Sequence, residues 1–357
     1  MTVSYGFYSR WHLASTRLLS QLPRSWQQLL CHEEPMLHEG QRLSPQLQLL
    51  RNRLYRHSVQ DWSSQFDIQH IRSYFDDLLA RLAGPAIEIY QTTDLLVPSR
   101  DGNSIQARMY LPFASSEPLP TLLYVHGGSY VMGSIEAYDQ TCRALAAHSG
   151  MQVVSIDYRL APEHPFPAAL HDCIDVWTWL HANSEQLNID PNQLMIGGDS
   201  VGGTLSTVTT RQLSLLGLPA PHLQLLLYPS IDPTGIWPSH QRYQDQLFIS
   251  HADRDYFFEQ YRADHDTSDP RLSPLYASDA RQCQTLLVTA GFCPLRDEGR
   301  AYANMLANQH VRVCHLELAT LTHSFANFVG VSNDCYRGLA EVAETFAVLC
   351  SEASTTA

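Results

Sequence analysis

The residue best equipped for chemistry is Ser200, set in Gly198-Asp199-Ser200-Val201-Gly202-Gly203. The run follows the apolar stretch QLMIG and opens VGGTLSTVTTRQLSLLG, so G-x-S-x-G stands between an expected strand and an expected helix. The spacing is steric in origin. The serine occupies a strained turn with its hydroxyl projecting from the sheet edge, and flanking glycines leave room for a crossing backbone. The helix start directs N–H groups at the same point. Such a serine is a nucleophile for acyl transfer; a plain glycine turn is the bland alternative. His126-Gly127-Gly128-Ser129 closes the apolar run TLLYV. Adjacent glycines there let backbone N–H groups face a cavity, which is what an oxyanion needs. Gly128, Ser129 and Val201 are the expected donors of the oxyanion hole, Gly127 shapes its turn, and His126 reads as a structural hydrogen-bonder. The serine also needs a base. Of the 17 histidines, His323 stands out in TLTHSFANF, just after the last apolar run, RVCHLELA. His315 lies inside that run and reads as packing.

These groups need a scaffold. TLLYVHGG, QVVSIDY, QLMIGGD, LQLLLYPS, TLLVTAG and RVCHLELA alternate with helical stretches such as ALHDCIDVWTWLHAN and EGRAYANMLANQH. Buried strands alternating with helices predict a mostly parallel sheet covered on both faces. Residues 1–85 read as helical. Leu47, Leu50 and Leu54 have helical spacing within 43–57, with Ser44 as N-cap, and 66–84 repeats the pattern and stops at Gly84. Residues 233–270 interrupt the alternation with an aromatic-rich helical insertion, read as a lid or as a subdomain with its own small core. The Ser/Thr-rich end, 351–357, reads as a flexible tail.

Composition removes other classes. The 357 residues carry 23 basic side chains, all arginine, and a net charge of −13. Without lysine there is no Schiff-base, pyridoxal-phosphate or P-loop lysine chemistry, and the acidic balance argues against nucleic acid. The eight cysteines form no CxxC pair, so neither a zinc ribbon nor a disulfide framework is expected. No apolar run approaches 18 residues, so no membrane span is expected. The N-terminus lacks the unbroken apolar stretch of a secretory signal, and a cytoplasmic location is the expectation. No metal or organic cofactor is implied.

Six motifs, in order, resemble the bacterial hormone-sensitive-lipase family of α/β-hydrolases: HGGSYVMGS (126–134), DYRLAPEHPFPAAL (157–170), GDSVGG (198–203), LLYPSID (226–232), VTAGFCPLRDEG (288–299) and THSF (322–325). The resemblance covers about residues 43–350. It implies an α/β-hydrolase fold, with an eight-stranded, mostly parallel sheet, helices on both faces and a helical cap. Residues 1–85 would contribute to that cap, and 86–350 would form the catalytic domain, with the cap insertion at about 233–270. It implies a carboxylesterase acting on small esters of short acyl chains, with Ser200 and His323 as nucleophile and base. Relatives pair through an edge strand, so a homodimer is among the expectations.

One departure matters. The family's triad aspartate falls on Cys293, with the expected 30-residue spacing to His323. Loss of that acid from a serine hydrolase costs about 10⁴ in kcat. Three outcomes stay open. A carboxylate such as Asp232, Asp297 or Glu298 substitutes; Ser200 and His323 act as a weaker dyad; or catalysis is lost and the pocket binds a small ligand, as in the plant gibberellin receptors that resemble this family.

Overall fold

The computed structural model describes residues 22–31, 34–55, 67–243, 251–279 and 281–355. Its N-terminal part holds helix α1 (Arg24–Leu30), a two-stranded hairpin, β1 (Leu37–His38) with β2 (Gln41–Arg42), and helices α2 (Pro45–Tyr55) and α3 (Ile68–Ala83). The hairpin was not expected. Ser44 stands at the N-cap position of α2, its carbonyl accepting from Gln48 N at 2.9 Å, and its hydroxyl donates to Asp334 Oδ2 at 2.7 Å. Asp67 caps α3 by accepting from His70 N at 2.9 Å, and Gly84 ends it with φ 82°. The buried face of α3, Ile71, Phe75, Leu78, Leu79 and Leu82, follows the helical period.

The main sheet has eight strands: β3 (Gln91–Pro98), β4 (Ser104–Leu111), β5 (Leu119–Val125), β6 (Gln152–Asp157), β7 (Ile189–Asp199), β8 (Leu223–Leu227), β9 (Gln284–Phe292) and β10 (Val313–Thr322). Their order is β10-β9-β8-β7-β5-β6-β4-β3. The six strands expected from the apolar runs are the parallel ones, β5 to β10. The antiparallel pair β3 and β4 was not anticipated as strands. Crossover helices cover the sheet: α4 (Asp139–Ser149), α5 (Ala168–Ala182) and α6 (Val201–Leu215). All five residues of β8 are buried, as helices on both faces require.

The insertion after β8 contains α7 (Pro238–Tyr243) and α8 (His251–Arg262); its residues 244–250 lie outside the described residues. Tyr243, Phe257, Phe258 and Tyr261 are buried in the same continuous core as the sheet. Its aromatic content therefore docks the insertion on the body instead of building a separate small core.

The chain ends with α9 (Arg296–Asn308) and α10 (Asn333–Thr355). The tail reading is corrected for 351–355, because α10 continues through Thr355 and Ser351 Oγ donates to Ala347 O at 3.1 Å; residues 356–357 lie outside the described residues. Serine and threonine lower helix propensity by only tenths of a kcal/mol, which one hydrogen-bonded turn offsets. The start of α10 is fastened to the N-terminal part. Asp334 accepts from Ser44 and Arg24, and Gln46 Oε1 accepts from Ser332 Oγ and Asp334 N. No helix among the described residues is long and apolar enough to cross a membrane.

Candidate active site

Ser200 sits between β7 and α6 with φ 53° and ψ −122°, a conformation L residues rarely adopt. The neighbouring glycines explain why the chain accepts it. A Cβ on Gly198 or on Gly202 would overlap Val125 O, so the end of β5 crosses the turn where side chains are missing. Backbone bonds fix the turn from the other side: Ser200 N donates to Leu227 O at 2.9 Å, and Ser230 N donates to Ser200 O at 3.2 Å. Ser200 is partly exposed, at the carboxyl edge of the sheet.

The turn after β5 lies next to it. Gly128 and Ser129 have φ of 115° and 54°. Among the described residues their N–H groups donate to no protein acceptor. Val201 begins α6, so its N–H lies in the first turn, where no intrahelical acceptor exists. Gly127 is different. Its N–H donates to Asp199 Oδ1 at 2.8 Å, and a Cβ there would approach Asp199 Oδ2 to 2.7 Å. It is therefore not a donor of the hole: the buried Asp199 carboxylate occupies its N–H. Asp199 also accepts from Tyr124 OH at 2.9 Å, and burial pushes its pKa up to about 7. His126 is buried between the rings of Tyr138 and Tyr158, with Nδ1 2.6 Å from Gly127 O. Burial lowers its pKa to about 4, which leaves it neutral.

His323 follows β10 and Cys293 follows β9, so both reach the same sheet edge as Ser200. Cys293 Sγ and His323 Nδ1 are hydrogen-bonded at 3.2 Å. Sγ also accepts from Leu295 N at 3.3 Å. Burial drives the Cys293 thiol far above its ordinary pKa, so it is an uncharged S–H. Burial, with the added charge of Arg254, lowers the pKa of His323 to about 4. Tyr228, just past β8, packs edge-on against the imidazole, with ring centroids 4.9 Å apart. Among the described residues, neither Ser200 Oγ nor His323 Nε2 makes a hydrogen bond. Such pairs are often open in a free enzyme and close around substrate.

The substitute acids do not reach the imidazole. Asp232 Oδ2 accepts from Trp237 Nε1 at 3.1 Å, and Asp297 Oδ2 accepts from Ser239 N at 2.9 Å. Asp297 Oδ1 is paired with Arg296. Both carboxylates are drawn to the insertion and to α9, and neither hydrogen-bonds to His323. Glu298 is fully buried, bound by Ile231 N at 2.9 Å and His240 Nε2 at 3.0 Å. His315 was expected to pack, but it stands exposed on β10, with Nε2 2.9 Å from Thr289 Oγ1, and it takes no part in the site. Among the described residues no cluster of three or more His, Cys, Asp or Glu could hold a metal ion.

A family model described as alpha/beta hydrolase fold matches residues 122–327, which span every group described above. The chain belongs to the α/β-hydrolase family, in its hormone-sensitive-lipase-like branch. This hydrolase is 34% identical over 334 residues to the carboxylic ester hydrolase LipN of Mycobacterium tuberculosis, covering 91% of this chain and 88% of that one. It is 37% identical over 278 residues to an ethyl acetate hydrolase of Pseudomonas putida, covering 76% and 87%. It superposes on a hyperthermophilic esterase from the archaeon Pyrobaculum calidifontis with a TM-score of 0.80 at 33% identity, covering 86% and 99%.

Sequence reasoning about the hydrolase did not single out the structural work of Asp199, Tyr228 or His240. The signal for Asp199 was present, because it adjoins Ser200 in an apolar run. Tyr228 and His240 gave no local signal, since their partners are 95 and 58 residues away in sequence.

Proposed function

We propose that this chain is a carboxylesterase that hydrolyses small esters through an acyl-enzyme on Ser200. The observation that carries the reading is the strained, glycine-flanked Ser200 turn beside the unengaged N–H groups of Gly128 and Ser129. Relatives named as esterases and carboxylic ester hydrolases support it. Ser200 Oγ attacks the ester carbonyl as His323 Nε2 takes its proton. The N–H groups of Gly128, Ser129 and Val201 hold the tetrahedral oxyanion. His323 returns the proton to the departing alcohol, then takes one from water, and that water releases the acid.

Cys293 stands where the acid would orient the ring. A carboxylate only accepts, which forces the proton onto Nδ1 and frees Nε2 as base. A thiol can donate to Nδ1 or accept from it. Donation leaves the proton on Nε2, where the ring cannot deprotonate Ser200. The productive tautomer is Nδ1–H···Sγ, and the pair acts as a weakened triad.

A second reading, a non-catalytic pocket for a small carboxylate or ester, draws on the thiol beside His323. A fluorophosphonate separates the two. Labelling of Ser200 in folded protein at neutral pH, together with p-nitrophenyl acetate turnover that Ser200→Ala abolishes, is the expected result. Absence of both favours the binder.

A further inference from the structure

Three successive residues of the oxyanion turn, Gly128, Ser129 and Tyr130, have φ of 115°, 54° and 65°. Glycine tolerates this region; serine and tyrosine persist there only where the surroundings over-determine the backbone. Part of the restraint is local, since Val131 N and Met132 N both donate to Gly128 O. The rest comes from two segments far away in sequence. From the insertion, Tyr261 stacks on Tyr130 with ring centroids 3.7 Å apart and planes 3° from parallel. From the N-terminal part, Arg72 on α3 donates from Nε to Val131 O at 2.6 Å and from Nη2 to Ala161 O at 2.8 Å.

The guanidinium bridges two loops that are themselves joined, because Ala161 N donates to Tyr130 O at 3.0 Å. Arg72 therefore holds the carbonyl after Tyr130 and the peptide that binds Tyr130. Its own orientation is fixed by an ion pair with Glu163 at 2.6 Å, and Gln69 Nε2 donates to the same carboxylate at 3.1 Å. One helical turn on, Asp76 accepts from Ser134 Oγ at 3.3 Å, and that hydroxyl accepts from Ala137 N. One face of α3 thus grips the loop at residue 131 and again at residue 134. A planar fork with two divergent donors suits this bridging in a way a point charge does not.

We propose that Arg72 is a positioning residue of the oxyanion hole, acting through the Val131 carbonyl to hold the Gly128 and Ser129 N–H groups on target. The proposal rests on the ester-hydrolysis reading above, and it assigns the N-terminal helix a part in turnover beyond covering the site. Arg72 touches no substrate. Its removal acts on the transition state more than on substrate binding, since the oxyanion exists only there.

Arg72→Met and Arg72→Lys test this on p-nitrophenyl butyrate. Each is also measured against an alkyl trifluoromethyl ketone, whose adduct with serine carries an oxyanion, and by hydrogen exchange of the 127–132 amides. Removing an oxyanion donor outright costs ~10²–10³, so displacing two should lower kcat about tenfold or more in Arg72→Met, with KM within about threefold. Ketone affinity should fall in step with kcat/KM, exchange at 127–132 should quicken while that of α6 does not, and Arg72→Lys should recover part of each loss. Unchanged kcat, ketone affinity and exchange in folded Arg72→Met would overturn the proposal, as would a rise in KM alone. If Arg72→Met does not fold, Arg72→Lys is decisive, with wild-type values in all three readouts overturning it. If the wild-type protein neither turns over esters nor labels at Ser200, the esterase reading fails, and the exchange arm alone decides whether Arg72 holds the turn.

Discussion

Cys293 Sγ lies 3.2 Å from His323 Nδ1, the nitrogen that an orienting acid would engage. A thiol there can donate as well as accept, where a carboxylate would only accept. The Leu295 N–H on the same sulfur supplies a donor but leaves the S–H proton free to turn toward the ring.

An acid beside His323 should therefore help. Cys293→Asp is expected to raise kcat on a short-chain p-nitrophenyl ester by at least about tenfold, the ceiling being the ~10⁴ that the acid contributes elsewhere. An unchanged or lower kcat in folded protein would mean that the thiol already sets the tautomer.

The pH profile follows from the same pair. A general base works when unprotonated, so the acid limb of kcat/KM should fall near the His323 pKa of about 4, leaving the rate flat from pH 7 to about 5. In Cys293→Asp the adjacent carboxylate stabilises the imidazolium, so the limb should move upward. A limb near 6.5 in the wild-type protein would contradict the buried, neutral imidazole described here.

The thiol should be inert. Cys293 is fully buried, and burial suppresses its thiolate. Iodoacetamide at neutral pH should leave Cys293 unmodified in native protein by mass spectrometry, with esterase activity intact. Rapid alkylation there would indicate a thiolate–imidazolium pair instead.

Asp199 gives a stability prediction of opposite sign to the usual carboxylate. Its folded pKa of about 7 lies above the ordinary 3.8, so the folded state retains a proton that the unfolded chain releases. The stabilisation it lends is present at low pH and is lost as pH rises from about 4 to 7. In Asp199→Asn the side-chain amide does not titrate. Urea denaturation should show that variant gaining on the wild-type protein across the same range, by up to roughly 4 kcal/mol. A difference that stays constant with pH would mean that Asp199 titrates normally.

Gly127→Ala should lower kcat about tenfold or more, because its Cβ would press on Asp199 Oδ2 and tilt the turn that bears the oxyanion donors. Wild-type kcat in the folded variant would show that the turn can shift without harm.

Much of this was legible in the chain because it is local. The parallel strands announced themselves as short apolar runs, and Ser200, Cys293 and His323 fall where those runs end. The β3–β4 hairpin was missed although Asp101-Gly102 between alternating runs is turn chemistry. β4 alternates buried and exposed residues over its first half and β3 buries only Val97, a weaker signal than a continuous apolar run. Which carboxylate approaches the imidazole was not legible. Asp297 shares a motif with Cys293 and Asp232 ends the motif before it, but their orientations are set by Trp237 and Ser239 in the insertion. Gly127 was read as shaping the oxyanion turn, and only the fold reveals how, with Asp199 accepting from its N–H.

Asp334, at the start of the last helix, accepts from both Ser44 and Arg24. The closing helix is thus a foundation stone for the N-terminal helices and not an appendage behind the sheet. A lineage that lost its last helix would loosen the seat of its N-terminal helices, whereas grafting a relative's insertion between β8 and β9 would leave that masonry standing.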